Sequence, residues 1–485
     1  MTSRGDAAEA RNRSEYSSGP RFEHRGAGYK AARRRRRHVN DHFHFNELFR
    51  LPASELVQRV LDAGKRTSRL VQDLDTEQLT VPMLEIVNPF LWEMGHVAFF
   101  YEVFLLWPLG RTEPVLDGAE DLYNSFTVDH DDRWHLPLPS REKTFDYMRR
   151  ISDMVTSRLD SRDPTPLETY LYLLSVLHED MHGEAFTYMR QTLAYSDPKL
   201  TPGRPRKVGE GPLAGDAEIP GGIYSLGATR NDPFVFDNEK WAHPVQVAAF
   251  GIARAPVTNA QFAEFVEDRG YLRRELWSCQ GWSWRIKAGA ERPVYWTRGT
   301  NGWLRRNFDR LVPLEACAPV VHVNWYEAEA WCNWAGRRLP TEAEWELAAS
   351  AEPTSDGSGI TSRKRRYPWG EDAPSPDRAN LDSHFVGCVD VGAFPSGDSA
   401  FGCRQMLGNV WEWTASPFYP YPGYVIDPPY VEYSAPWFGY RKVLRGGAWA
   451  TRSRLANNTY RNYFPPYRSD HFAGFRTCAR AEHSS

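Results

Sequence analysis

Between Phe43 and Leu193 the apolar residues return every three or four positions, and after Leu193 they stop doing so. Leu56, Val60 and Leu61 show the spacing, then Phe99, Val103 and Leu106, then Tyr170, Leu173, Leu174 and Leu177. A 3.6-residue period gathers such side chains into one stripe of a helix, and the stripe has to be buried. Four long helices packed as a bundle are therefore predicted. The break is sharp, because positions 195–220 carry five prolines and several glycines. Beyond it the chain is rich in Gly, Pro, Trp and Tyr, with short strand-like runs and two short helical stretches at 259–269 and 325–335. That pattern predicts a loop-dominated α+β domain packed through aromatic rings. With 485 residues there is room for two cores: a basic tail over 1–40, a bundle over 41–200 and a second domain over 215–482. Between the second and third helices, residues 124–139 hold two prolines and no period, which predicts a long ordered loop of the kind that often carries function.

A net charge of −3, from 59 basic and 62 acidic residues, gives no general reason to expect a nucleic-acid or membrane partner, so small molecules are the expected substrates. Six cysteines without a CxxC pair suit reduced thiols in a cytoplasmic protein better than a disulfide framework. No stretch approaches the ~18 consecutive apolar residues of a membrane span, and the N-terminus lacks the apolar core of a secretory signal. The run Arg33–Arg37 lies in a segment too polar to order itself. It reads as a solvated tail, with an electrostatic tether to nucleic acid as the other reading.

His178 and His182 stand four apart in Leu177-His178-Glu179-Asp180-Met181-His182-Gly183-Glu184, inside a helical pattern. Both imidazoles then leave one face within reach of a single metal. His96, in Trp92-Glu93-Met94-Gly95-His96-Val97-Ala98-Phe99-Phe100, sits on another strongly apolar helix, where a buried imidazole needs a partner. Three neutral imidazoles on facing helices would leave coordination positions open, which suits iron or zinc. Spacing alone leaves iron, zinc and plain core packing all open. His178–His182 also matches the H-E-x-x-H pattern, in which Glu179 would be the general base of a zinc hydrolase. Against that reading, a bundle buries the site away from an extended peptide, and the third histidine lies upstream.

The second domain resembles the sulfatase-modifying, formylglycine-generating-enzyme type, a variant of the C-type-lectin fold. The resemblance is carried by Gly221-Gly222-Ile223-Tyr224-Ser225-Leu226-Gly227, Pro256-Val257-Thr258-Asn259, Val323-Asn324-Trp325 and Arg338-Leu339-Pro340-Thr341-Glu342-Ala343-Glu344-Trp345-Glu346. It continues in Gly408-Asn409-Val410-Trp411-Glu412-Trp413 and Leu444-Arg445-Gly446-Gly447-Ala448-Trp449. Formylglycine-generating enzymes carry a cysteine pair shortly after the Arg-Gly-Gly stretch. This chain has Ala450-Thr451-Arg452-Ser453-Arg454-Leu455-Ala456-Asn457-Asn458 there, so copper-thiolate chemistry is not expected. Preceded by a DinB-like four-helix bundle with a histidine triad, the whole architecture resembles the hercynine oxygenases, the ergothioneine sulfoxide synthases and selenoneine synthase.

The resemblance implies iron(II) on His96, His178 and His182, and a catalytic tyrosine at Tyr430. It implies hercynine and dioxygen as substrates, with a selenosugar or a thiol as the second donor. Arg461-Asn462-Tyr463 is similar to the family's Arg-Asn-Trp segment that helps bind the histidine-derived substrate, with Tyr463 as the aromatic wall. Sulfoxide synthases that use γ-glutamylcysteine have an aspartate directly after that segment and an arginine four residues later, whereas here Phe464 and Arg468 follow. They also place two arginines in the loop after the second bundle helix, which reads Asp129-His130-Asp131-Asp132-Arg133-Trp134. So acidic a loop is ill matched to a donor with two carboxylates. Asp129, Arg133 and Trp134 are candidate donor-binding residues, and the expected reaction is C–Se bond formation with a selenosugar. C–S bond formation with cysteine or γ-glutamylcysteine is the alternative.

Overall fold

The computed structural model describes residues 45–160, 162–200 and 211–480, so the tail expected over 1–40 lies outside the described residues. Four long helices stand where the helical period predicts them: α1 Ala53–Val71, α2 Phe90–Tyr101, α3 Arg141–Ser157 and α4 Pro166–Thr192. The start of α4 is written in its sequence. Thr165 accepts a hydrogen bond from the Glu168 N–H, Glu168 accepts one from the Thr165 N–H, and Pro166 takes the first helical position, where an N–H would lack a partner in any case. Helix α2 runs on into a π-helical turn, Glu102–Leu106. The fully buried Glu102 accepts from Tyr147 Oη at 2.6 Å and Val115 N at 2.7 Å, which ties that turn to α3 and to the following loop. The loop from α2 to α3 is ordered and contains a short helix, Ala119–Tyr123, and a 3-10 turn, His130–Trp134.

The second half is built from short strands. One four-stranded sheet has the order Asp216–Ile219, Phe250–Ala253, Cys478–Ala479, Arg337–Arg338, and so brings together both ends of this half. Another runs Asn462–Phe464, Lys442–Arg445, Trp411–Pro417, Ala473–Gly474, antiparallel except for its last pair. The two expected helices are Asn259–Glu267 and Trp325–Trp334. Two others escape the sequence pattern for opposite reasons. Glu342–Ser350 is buried nearly all round and Cys279–Ala288 buries only Gly281, so neither shows a stripe. Buried arginines organise this core: Arg445 and Arg461 both bind Glu342, and Arg476 binds Glu412.

Bundle and second half belong to one compact unit. Face-to-face contacts hold them: Arg454 grips Asp180 through two hydrogen bonds of 2.5 and 2.8 Å, and Glu184 accepts from Trp411 Nε1 at 2.6 Å and Thr451 Oγ1 at 2.5 Å. Among the described residues no helix is long and apolar enough to cross a membrane, and all six cysteines are unpaired.

Candidate metal centre

Helices α2 and α4 deliver the three histidines to one point. One ligand atom from each of His96, His178 and His182 lies within 4.8 Å of the others, and the Nε2 atoms of His178 and His182 are 3.2 Å apart. Two ligands about 2.1 Å from one metal, at angles between 90° and tetrahedral, stand about 3.0–3.4 Å apart, so this pair has the separation a metal requires. His96 Nδ1 lies 2.8 Å from the Tyr123 carbonyl, which can only accept. The proton is thereby fixed on Nδ1, and the Nε2 lone pair is left for the site. Tyr123 reaches this place because residue 95 is glycine: a Cβ there would fall 2.1 Å from the Tyr123 ring.

Burial first, then the neighbouring imidazoles, favour neutral histidines. His96 is held down to about 3, with Glu93 opposing the shift, and His178 is held well below its ordinary value. Three imidazoles with ligand atoms this close, two of them held neutral by burial, fit a divalent metal. Rings wall the set on two sides. Trp92 stacks on His96 with centroids 4.9 Å apart, and Phe100 stacks on His178 at 3.5 Å. Glu93, buried among apolar neighbours, has one carboxylate oxygen against His182 Nδ1 and the other accepting from Asn88 Nδ2 at 2.7 Å. Burial raises its pKa, but His182, His96 and Asn88 outweigh that and hold it at about 2.

Tyr430 comes from the second half and meets this set edge-on. Its ring centroid is 6.0 Å from His178, 5.0 Å from Phe100 and 5.1 Å from Phe104. Glu179 turns away from the histidines. Thr67 and Tyr101 donate to its two oxygens at 2.7 and 2.9 Å inside the bundle, and burial pushes its carboxyl up to about 7. The carboxylate that the zinc-hydrolase reading would use as general base is thus already taken up by Thr67 and Tyr101 on the bundle side of α4.

Residues 60–187 match the DinB superfamily, and residues 203–481 match the sulfatase-modifying factor enzyme 1-like domain. The hercynine oxygenase of Mycolicibacterium thermoresistibile is 38% identical over 436 residues, which span 87% of this chain and 94% of that protein. The hercynine oxygenase of Mycobacterium tuberculosis is 37% identical over 441 residues, 87% of this chain and 98% of that protein. The chain belongs to the hercynine oxygenase family. A formylglycine-generating enzyme of Mycobacterium tuberculosis matches a smaller part, 36% identical over 255 residues, which is 45% of this chain and 79% of that protein.

In this member of the family the remaining candidate residues divide by what already occupies them. Asn462, Tyr463 and Phe464 form one strand of the second sheet. The buried Tyr463 ring stacks on Phe418 at 3.9 Å, and its hydroxyl donates to the Tyr433 carbonyl, so much of the expected aromatic wall is taken up in packing. Phe464 covers the buried His471 at 4.1 Å. Arg468 binds Asp470 with Nε and Nη2, at 2.5 and 2.6 Å. Arg133 donates to Asn88 Oδ1 at 2.6 Å and sits over the Trp92 ring. Trp134 packs against the bundle core and donates to the Val81 carbonyl at 3.1 Å, while Asp129, Asp131 and Asp132 are exposed around the 3-10 turn. Sequence reasoning does not single out Glu93, Asn88, Trp92 or Phe100. For Glu93 a signal was present: a carboxylate inside an apolar helical run must be paired.

Proposed function

We propose that the three histidines hold iron(II) and that the protein joins the selenium of a selenosugar to the imidazole C2 of hercynine, with dioxygen as oxidant. The C2–H and Se–H bonds give way to a C–Se bond. Selenium leaves as the selenoxide, and dioxygen ends as that oxygen and one water. Iron in this position supplies open coordination sites and redox chemistry. The chain's own groups do the rest. Trp92 and Phe100 exclude water around the imidazoles and fix their planes. Tyr430 keeps its phenol proton, because burial and the nearby Tyr463, Glu432 and Asp237 raise its pKa, and its place beside His178 suits it to deliver that proton.

The engagement of Arg468 carries the choice of donor. A dipeptide donor needs free guanidinium forks for two carboxylates. Asp470 already occupies the fork of Arg468, and Phe464 fills the position after the Arg-Asn-Tyr stretch. A neutral donor rich in hydroxyls asks for acceptors instead, which the exposed Asp129, Asp131 and Asp132 supply. One observation favours the thiol alternative: Arg133 and Arg468 both reach the segment leading into α2, at Asn88 Oδ1 and the Ile86 carbonyl. The test is protein loaded anaerobically with iron, then given hercynine and oxygen with a selenosugar, cysteine or γ-glutamylcysteine in separate vessels, followed by mass spectrometry. A selenoxide conjugate from the selenosugar is expected. Product from the thiols alone would replace this reading with sulfoxide synthesis, and no product from any donor, with iron bound, would end both.

A further inference from the structure

Arg133 stands in the turn offered to the donor, yet its guanidinium faces inward, where Nη2 reaches the Val128 carbonyl at 3.5 Å and two further contacts lead to the histidines. Nη1 donates to Asn88 Oδ1 at 2.6 Å, Asn88 Nδ2 donates to Glu93 Oε1 at 2.7 Å, and Glu93 Oε2 lies against His182 Nδ1. The same guanidinium sits 3.9 Å from the centre of the Trp92 ring, and Trp92 stacks on His96 with only 9° between the planes. One cation thus reaches two of the three histidines by two separate routes. We propose that Arg133 is a positioning residue of the metal centre, holding His182 through Asn88 and Glu93 and His96 through Trp92, and is not a contact for the donor.

The chemistry of each link gives the chain a direction. Arginine can only donate, so it fixes the oxygen end of the Asn88 amide toward itself and turns the NH2 end toward Glu93. Without it the amide is free to flip and face Glu93 with its oxygen, which would repel the carboxylate. A carboxylate on the outer nitrogen of a ligating histidine sets the tautomer and raises the basicity of the inner one. The planar guanidinium also covers an indole in a way the lysine ammonium does not. The inference rests on the three-histidine metal site and is independent of which donor reacts.

Cobalt(II) alone is the probe. Its dissociation constant is measured by chelator competition, and its visible absorption is recorded at saturation, for the intact chain and for Arg133→Lys and Asn88→Ala. Each variant is expected to bind cobalt about ten-fold more weakly. Each should also shift the cobalt bands, which a merely structural role would leave in place. Arg133→Lys keeps the charge, and thermal unfolding of the metal-free variants shows whether the fold survives. Wild-type affinity and an unchanged spectrum in both variants would overturn the proposal. Failure of the wild-type chain to bind cobalt at all would overturn the metal centre along with it, whereas failure of the selenosugar reaction would leave this measurement standing.

Discussion

Tyr430 and Glu327 show how burial sets what a single side chain can do. Tyr430 packs its ring against Phe100 and Phe104, with its centroid 6.0 Å from that of His178. Tyr430→Phe keeps those ring contacts and removes only the hydroxyl. It is expected to leave iron affinity within two-fold and to lower kcat by about a hundred-fold. Iron titration and steady-state turnover measure the two, and an unchanged kcat would remove Tyr430 from the reaction. Glu327, far along the chain, accepts from Tyr271 Oη at 2.5 Å and Asn324 N at 2.8 Å, and burial pushes its carboxyl up to about 7. Between about 4.5 and 7 the folded chain then holds a proton that the unfolded chain has released, so this group's contribution is complete below about 4.5 and is lost as pH rises through 7. Glutamine has no such proton to lose. Relative to Glu327→Gln, the wild type should lose on the order of 2 kcal/mol of stability between pH 5 and pH 7. Denaturant titrations of both proteins at the two pH values check this, and a constant difference between them would refute it.

Helix α4 shows the same logic in one element, because its faces do different work. His178 and His182 share one face by the four-residue spacing, Glu179 is turned into the bundle, and Glu184 meets Trp411 and Thr451 of the second half. Glu184→Ala strands the buried Trp411 Nε1 and Thr451 Oγ1 without their acceptor. A loss of about 3 kcal/mol in unfolding free energy is expected, read from the denaturation midpoint. Much of this helix was legible in the sequence. The period placed it, and the four-residue histidine spacing put His178 and His182 on one face. What the helix touches was not legible, because the partners of Glu179 lie 78 and 112 positions away and those of Glu184 lie 227 and 267 away, and no local pattern encodes such contacts. The second half reads less well by period for a related reason. Its strands in the two main sheets are two to seven residues long, too short for alternation to show, so ordered stretches resembling a known family placed this half where periodicity could not.

Across the whole molecule the segment 450–458 changes meaning. Where formylglycine-generating enzymes resembling this half keep a cysteine pair, this chain has Arg452 and Arg454, and both point into the bundle. Arg454 binds Asp180 and Asp62, and Arg452 binds Asp62 and Asp382 and approaches Asp180 at 3.7 Å. Asp180 is almost fully buried and sits between His178 and His182 in sequence, so the joint that holds the halves together also braces the histidine helix. A buried pair of this kind is costly to break from one side and cheap to replace as a unit, because truncating one partner leaves the other charge desolvated. Arg454→Ala is therefore expected to cost about 3 kcal/mol, the low end for such a pair because Arg452 stays 3.7 Å from Asp180, with thermal unfolding split into two steps as the bundle and second half lose their coupling. Replacing both partners, Asp180→Asn with Arg454→Met, removes the stranded charge and should recover most of that loss. Calorimetry of the three proteins decides it: if the double variant is as unstable as Arg454→Ala, the stranded Asp180 charge is not the cause, and the loss lies in the contact of Arg454 with Asp62 or in its packing.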